Sequence, residues 1–210
     1  MAWREFLEVL GDLSVEEAEA IGTRQTEEGA WAGRPGGGGR FDLLEEVGIH
    51  QSGGVTDEHF MEEALRQARK AAAKGEVPVG AVLVVNGAVL SKGHNQVEEL
   101  KDATAHAEML VVTAAAGEMG DWRLNEATVY VTKEPCPMCA GAMVLSRVKR
   151  VVYGASDPKG GAAGGALNLL QFAGLNHKCE IRSGVRAEEC RDLLRDFFKK
   201  QRVAEDVGGK

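Results

Sequence analysis

The chain has 210 residues, a formal net charge of −7 and 44% hydrophobic residues, apolar material enough for one cored domain. Its four cysteines are too few for a disulfide framework and fit a reducing cytosol. No stretch approaches the roughly 18 apolar residues of a membrane span, and the start has neither the basic-then-apolar layout of a signal peptide nor the acid-poor composition of a transit peptide.

The charge is segregated. Residues 1–56 carry 4 basic and 11 acidic side chains, so 4 − 11 = −7 and the whole excess lies there. Residues 147–210 carry 13 basic and 8 acidic side chains, a local +5. An acidic chain of this kind still offers a cationic surface to a nucleic acid. Within residues 1–55, Trp3, Phe6, Leu7, Leu10 and Leu13 recur at helical spacing. Ser14 is a candidate cap for a second helix over 15–21. The glycine-rich run 29–39 has the composition of a flexible linker. The segment has too little apolar surface to fold alone, so residues 1–55 are expected to be a largely disordered extension. A docking tail, a partner-binding arm and a misassigned start with the true beginning downstream are the other readings.

The compact domain is expected over 56–202, with 203–210 as a tail. Phe60, Ala64, Leu65, Ala68 and Ala72 form an apolar stripe that predicts a helix over 57–74. The run 77–85 reads as a buried strand, and Asn86-Gly87 is a hairpin signal leading into a second strand over 88–95. A charged loop follows, then a helix over 105–117 with Thr104 as candidate N-cap. A strand over 127–132 and a helix over 137–147 come next, with Pro137 in the first turn, where a missing N–H is no loss. A short strand over 150–154, a glycine-rich loop, a helical turn at 167–172, a last strand over 180–183 and an amphipathic helix over 187–201 complete the series. This order predicts a three-layer α/β/α domain.

Two stretches carry chemistry. Thr104-Ala-His-Ala-Glu108 and Glu134-Pro-Cys-Pro-Met-Cys139 together supply one imidazole and two thiolates, His106, Cys136 and Cys139. Three protein ligands leave the fourth position of a tetrahedral Zn2+ open, the layout of a catalytic site. Glu108 stands beside the ligand histidine as the candidate proton carrier. Two thiolates cancel the charge of the ion, so its water is acidified less than by a three-histidine site, and a nearby base is required. Residues two apart on a helix point to nearly opposite sides. His106 and Glu108 therefore converge only if His106 lies where a loop enters the helix. His-x-Glu joined to Pro-Cys-x-x-Cys is the signature of zinc nucleobase deaminases, the tRNA-editing enzymes among them. A structural zinc would want a fourth protein ligand, and no second Cys-x-x-Cys exists in the sequence.

From Asp57 to about Arg202 the chain resembles the bacterial tRNA-specific adenosine deaminases. The resemblance rests on Val77-Pro-Val-Gly-Ala81, the two metal stretches, Tyr153-Gly-Ala-Ser-Asp-Pro-Lys159, Gly161-Ala-Ala-Gly164, Asn176-His177, and the helix from Glu189 to Phe198. It implies a cytidine deaminase-like fold with a mixed five-stranded sheet. It implies a cytoplasmic homodimer, with no membrane, that converts the wobble adenosine of a tRNA anticodon stem-loop to inosine. In that family, zinc-activated water attacks the flipped base and a glutamate shuttles the protons. By this resemblance His106, Cys136 and Cys139 hold the zinc and Glu108 is the shuttle. Asn95 hydrogen-bonds the base, and Asp157 and Lys159 lie in the loop that meets the RNA backbone. Phe197 and Phe198 border the RNA path. Lys133, where the family more often has an apolar residue, and Gln96, after Asn95, depart from the pattern.

Several residues keep two readings. His94 lines the pocket or is a partly buried strand histidine. His177 touches substrate or caps a loop. Arg147, Lys149 and Arg150 form an RNA-facing patch or a solvated run beside a strand. Cys179 and Cys190 read as core residues. Competing functions are a deaminase of a free nucleobase or nucleoside, which shares the metal stretches, and a zinc-bearing nucleic-acid-binding module without turnover.

Overall fold

The structure, a computed structural model, describes residues 56–208; the readings made for residues 1–55 lie outside them. Helix α1 (Asp57–Ala73) starts where Thr56 adopts extended backbone and its hydroxyl accepts the His59 N–H at 3.4 Å. It buries Phe60, Met61, Ala64, Leu65, Ala68 and Ala71 along one face. Strand β1 (Gly80–Val85) and strand β2 (Ala88–His94) form a hairpin. Asn86 (φ 51°) and Gly87 (φ 78°) supply the two left-handed residues that the tight turn needs. Strands β3 (Ala127–Lys133), β4 (Arg150–Ala155) and β5 (Glu180–Arg182) complete a sheet of order β2-β1-β3-β4-β5. The β1 strand is antiparallel to both β2 and β3, whereas β3/β4 and β4/β5 are parallel. The sheet is thus mixed, as the resemblance implies.

Alternation along the central strands sorts the core into two layers. Val82, Val84, Tyr130 and Val152 point toward α1 and Cys190 of helix α5 (Ala187–Gly208). Ala81, Leu83, Val129, Val131, Val151 and Tyr153 pack with Val111 and Val112 of helix α3 (Ala107–Met119) and with Met143 and Val144 of helix α4 (Pro137–Leu145). These are the three layers expected. Gly80 shows how close they come: a Cβ there would lie 2.2 Å from the Ala64 carbonyl oxygen and 2.3 Å from the Ala68 nitrogen. Only glycine lets β1 start against the backbone of α1.

Several boundaries differ from the sequence reading. A one-turn helix α2 (Val97–Leu100) stands in the charged loop. Residues 167–172 form turns and an Ala163↔Asn168 bridge rather than a helical turn. The last helix runs to Gly208, past the expected end at 201 and through most of the expected tail. Helix α3 begins at Ala107 with His106, not Thr104, as its N-cap. The reason is local: the Thr104 N–H and hydroxyl both donate to Asp102 Oδ1, at 2.8 and 2.7 Å, which ties Thr104 into the preceding turn.

Candidate metal centre

Two helix N-termini build the centre. His106 and Cys136 are the N-caps of α3 and α4, both with extended backbone (φ −72°, ψ 150° and φ −73°, ψ 170°). An N-cap side chain swings clear of the helix cylinder, so each can reach across the end of its helix. Pro137 takes the first position of α4, and Cys139 follows in the first turn, fully buried. His106 Nδ1 lies 3.6 Å from Cys136 Sγ and 3.5 Å from Cys139 Sγ. The three donor atoms all fall within 4.8 Å of one another. A tetrahedral Zn2+ with bonds of about 2.3 Å to sulfur and about 2.0 Å to nitrogen separates such donors by roughly 3.5 Å. The donor set and its spacing therefore fit zinc.

The electrostatics suit a cation. Hydrogen bonding from Cys139, with help from His106, pulls the Cys136 thiol down to about 3. The same Cys136–Cys139 bond and burial push the Cys139 thiol up. The bond to Cys136 raises His106. The positive ends of two helices favour thiolate at this point.

Glu108 is the second residue of α3 and only 4% exposed. Burial raises its carboxyl above the usual range, against smaller opposing contributions from a backbone hydrogen bond and His106. It opens onto a cavity of about 380 Å³ that also reaches His106, Cys136, Asn95, Lys133 and Phe197. Asn95 directly follows β2 and is 7% exposed; its N–H donates to the Val79 carbonyl at 3.0 Å. The structure thus brings five of the seven sequence-predicted residues together. Asp157 stands one side chain away, its Oδ2 accepting from Lys133 Nζ at 2.5 Å and its Oδ1 from the Lys159 and Gly160 N–H groups at 3.0 Å. The Lys159 side chain is exposed and does not line the cavity.

Sequence reasoning missed Glu134. It is 1% exposed, and its carboxylate accepts three backbone N–H groups of the glycine-rich loop: Asp157 at 2.8 Å, Ala163 at 3.0 Å and Gly165 at 2.7 Å. A Cβ on Gly161 would sit 2.2 Å from the Glu134 Cδ. The signal was an acidic residue at a strand end paired with a glycine-rich loop. Other two-sided residues resolve. His177 Nε2 bonds the Val148 carbonyl at 2.8 Å and so caps a loop. Arg147 donates to Asn176, Lys149 pairs with Glu126, and Arg150 pairs with Asp57. That run is therefore held by the protein's own groups. His94 lies outside the cavity lining and its Nε2 is buried without a partner among the described residues. Cys179 and Cys190 are buried core residues.

The MafB19-like deaminase family matches residues 55–202. The tRNA-specific adenosine deaminase of Bacillus subtilis (strain 168) is 56% identical over 154 residues, covering 73% of this chain and 96% of the relative. The chain belongs to the tRNA-specific adenosine deaminase family. A solved tRNA deaminase, studied for A-to-I editing at the wobble position of transfer RNA, is 44% identical and covers 65% of this chain and 99% of its own, with a TM-score of 0.63. A solved guanine deaminase from Nitrosomonas europaea is 22% identical over 68% of this chain and 85% of its own, with a TM-score of 0.60, a likeness of fold alone. In this deaminase, beside the mixed five-stranded sheet, two helix N-termini bring His106, Cys136 and Cys139 together.

Proposed function

We propose that this deaminase hydrolyses the wobble adenosine of a tRNA anticodon stem-loop to inosine, releasing ammonia. The observation that carries the reading is the meeting of His106, Cys136 and Cys139 with a buried Glu108 at an open cavity. His106, Cys136 and Cys139 would hold Zn2+, which when bound acidifies water and supplies Lewis acidity. Glu108 takes the proton of the attacking water at its carboxylate and returns protons to the ring nitrogen and to the departing amine. One C–O bond forms at the ring carbon, one C–N bond breaks, and ammonia leaves. Burial of Glu108 favours the carboxylate's return to the proton-bearing form, which suits a group that must both accept and deliver. Asn95, at the cavity wall, has an amide able to donate to and accept from a base edge. Asp157 and Lys159 belong to a loop that contacts the cavity-lining Lys133 through Asp157, and that loop would meet the flanking backbone.

The base must leave its stack to reach the centre, and a loop nucleotide does so at little cost. Leu145 (73% exposed) and Phe172 (56% exposed) are large apolar side chains on the surface, consistent with a homodimer in which a second copy covers them. Among the described residues no helix is long and apolar enough to cross a membrane. The four cysteines are unbridged, in keeping with a cytoplasmic setting.

The test compares substrates. The zinc-loaded protein should release ammonia from an anticodon stem-loop bearing a wobble adenosine and not from free guanine, cytosine or adenosine. Release from a free base with none from the stem-loop would assign it instead to nucleobase deamination.

A further inference from the structure

The cavity has an unexpected charge balance for a site that receives a polyanion. Glu76, Glu98, Glu108 and Glu134 line it, and Lys133 is the one lysine or arginine among the described lining residues. Most of the acidic groups are already engaged. Glu134 is spent on three loop N–H groups. Glu76, 2% exposed, accepts the Glu99 N–H at 2.7 Å. Glu98 pairs with Lys101 at 3.3 Å.

Asp157 does not line the cavity but is held against Lys133, which does, and its charge would otherwise face a phosphate approaching that lysine. It cannot turn away. Its Oδ1 closes a turn by accepting the Lys159 and Gly160 N–H groups, and its own N–H is held by Glu134. Its Oδ2 is covered by Lys133 Nζ at 2.5 Å. The pair is partly open to solvent, with side chains 31% and 22% exposed. A lysine ammonium has three donors. One is given to Asp157, which leaves two.

We propose that Lys133 is a substrate-positioning residue that bridges Asp157 to a phosphate of the RNA next to the edited adenosine. Lys133 ends β3, three residues before Cys136, so this cation is fixed relative to the metal residues by the strand rather than by a loop. It cancels the Asp157 charge beside the cavity and offers its remaining donors to the incoming backbone. The inference rests on the stem-loop reading of the site.

The test is steady-state kinetics of the full-length, zinc-loaded protein on an anticodon stem-loop across a range of salt, for wild type, Lys133→Met and Lys133→Arg. Met keeps most of the length of the side chain and removes the charge. Lys133→Met is expected to raise KM about fivefold to tenfold at low salt with kcat and zinc content unchanged. The plot of log(kcat/KM) against log salt should become shallower by about 0.7 to 1, the signature of one lost phosphate contact. Lys133→Arg should restore both. A lysine that merely holds the loop would give a changed kcat and an unaltered salt slope, and that result overturns the inference while leaving the deaminase reading intact. A wild type with no turnover on the stem-loop at any salt removes both.

Discussion

Two carboxylates at opposite parts of this deaminase are almost equally buried, Asp57 at 8% exposure and Glu108 at 4%, and their environments drive them apart. Asp57 opens α1 and is surrounded by donors. Arg150 grips it through two bonds of 2.9 and 2.7 Å, Tyr130 donates its hydroxyl at 2.7 Å, and Arg182 joins from β5. The Arg150 bonds lead in holding its carboxyl at about 2. Glu108 faces a cavity shared with His106 and Cys136 instead, and burial drives its carboxyl upward. A buried carboxylate saturated by donors has no proton left to move, and serves to tie a helix to three strands. A buried carboxylate that opens onto solvent-sized space keeps its capacity for proton transfer. Burial alone does not mark a working acid; what surrounds it does.

That contrast can be broken in several ways. The largest effect should come from the proposed metal donors: Cys139→Ala removes one of the three proposed ligands, so bound zinc, read by elemental analysis, should fall far below one per chain and deamination should disappear with it. Unchanged zinc content would mean that another residue completes the site. Next is the structural carboxylate. Asp57→Asn keeps the shape but strands Arg150 and Arg182 without their counter-charge. It should cost roughly 2 to 3 kcal/mol, or about 5 to 10 °C in Tm, with zinc binding untouched. The wild-type protein should show the same group in its acid stability. The folded value of Asp57 is depressed, so its contribution of roughly 2 kcal/mol is complete above its ordinary value near 3.8 and fades as pH falls toward about 2. Urea midpoints measured from pH 5 to pH 2 should fall more steeply for wild type than for Asp57→Asn; parallel curves would remove the account of this cluster.

Smaller effects follow at the loop. Gly161→Ala places a Cβ on the Glu134 carboxylate and should destabilise by about 1 to 3 kcal/mol, with amide exchange accelerated between Asp157 and Gly165. An unperturbed loop would show that Glu134 does not clamp it. The smallest change is expected from deleting residues 1–55: turnover on a stem-loop should stay within a few fold, and a collapse would make the extension part of the working enzyme.

The grouping of His106, Cys136 and Cys139 was legible because metal chemistry fixes both residue type and spacing. Asn86-Gly87 was legible because few dipeptides tolerate two left-handed residues. The alternation of Val82, Val84, Tyr130 and Val152 against Leu83, Val129 and Val131 was readable as strands buried on both faces. The Asp57 cluster was not readable, since its partners lie 93 and 125 residues away in the chain. Glu134 was hidden for a similar reason: its three donors are backbone groups, which no residue type announces. Thr104 failed as a cap because Asp102, two residues earlier, captured it first.

The measurement that bears most directly on the central claim is made on one variant. Wild type and Glu108→Ala, both loaded with zinc, are incubated with an anticodon stem-loop carrying a wobble adenosine, and the product is read by mass for inosine. The variant should bind zinc and RNA as wild type does and form inosine at least 10² to 10⁴ times more slowly. Inosine formed by Glu108→Ala at the wild-type rate would contradict the assignment of Glu108 as the proton carrier.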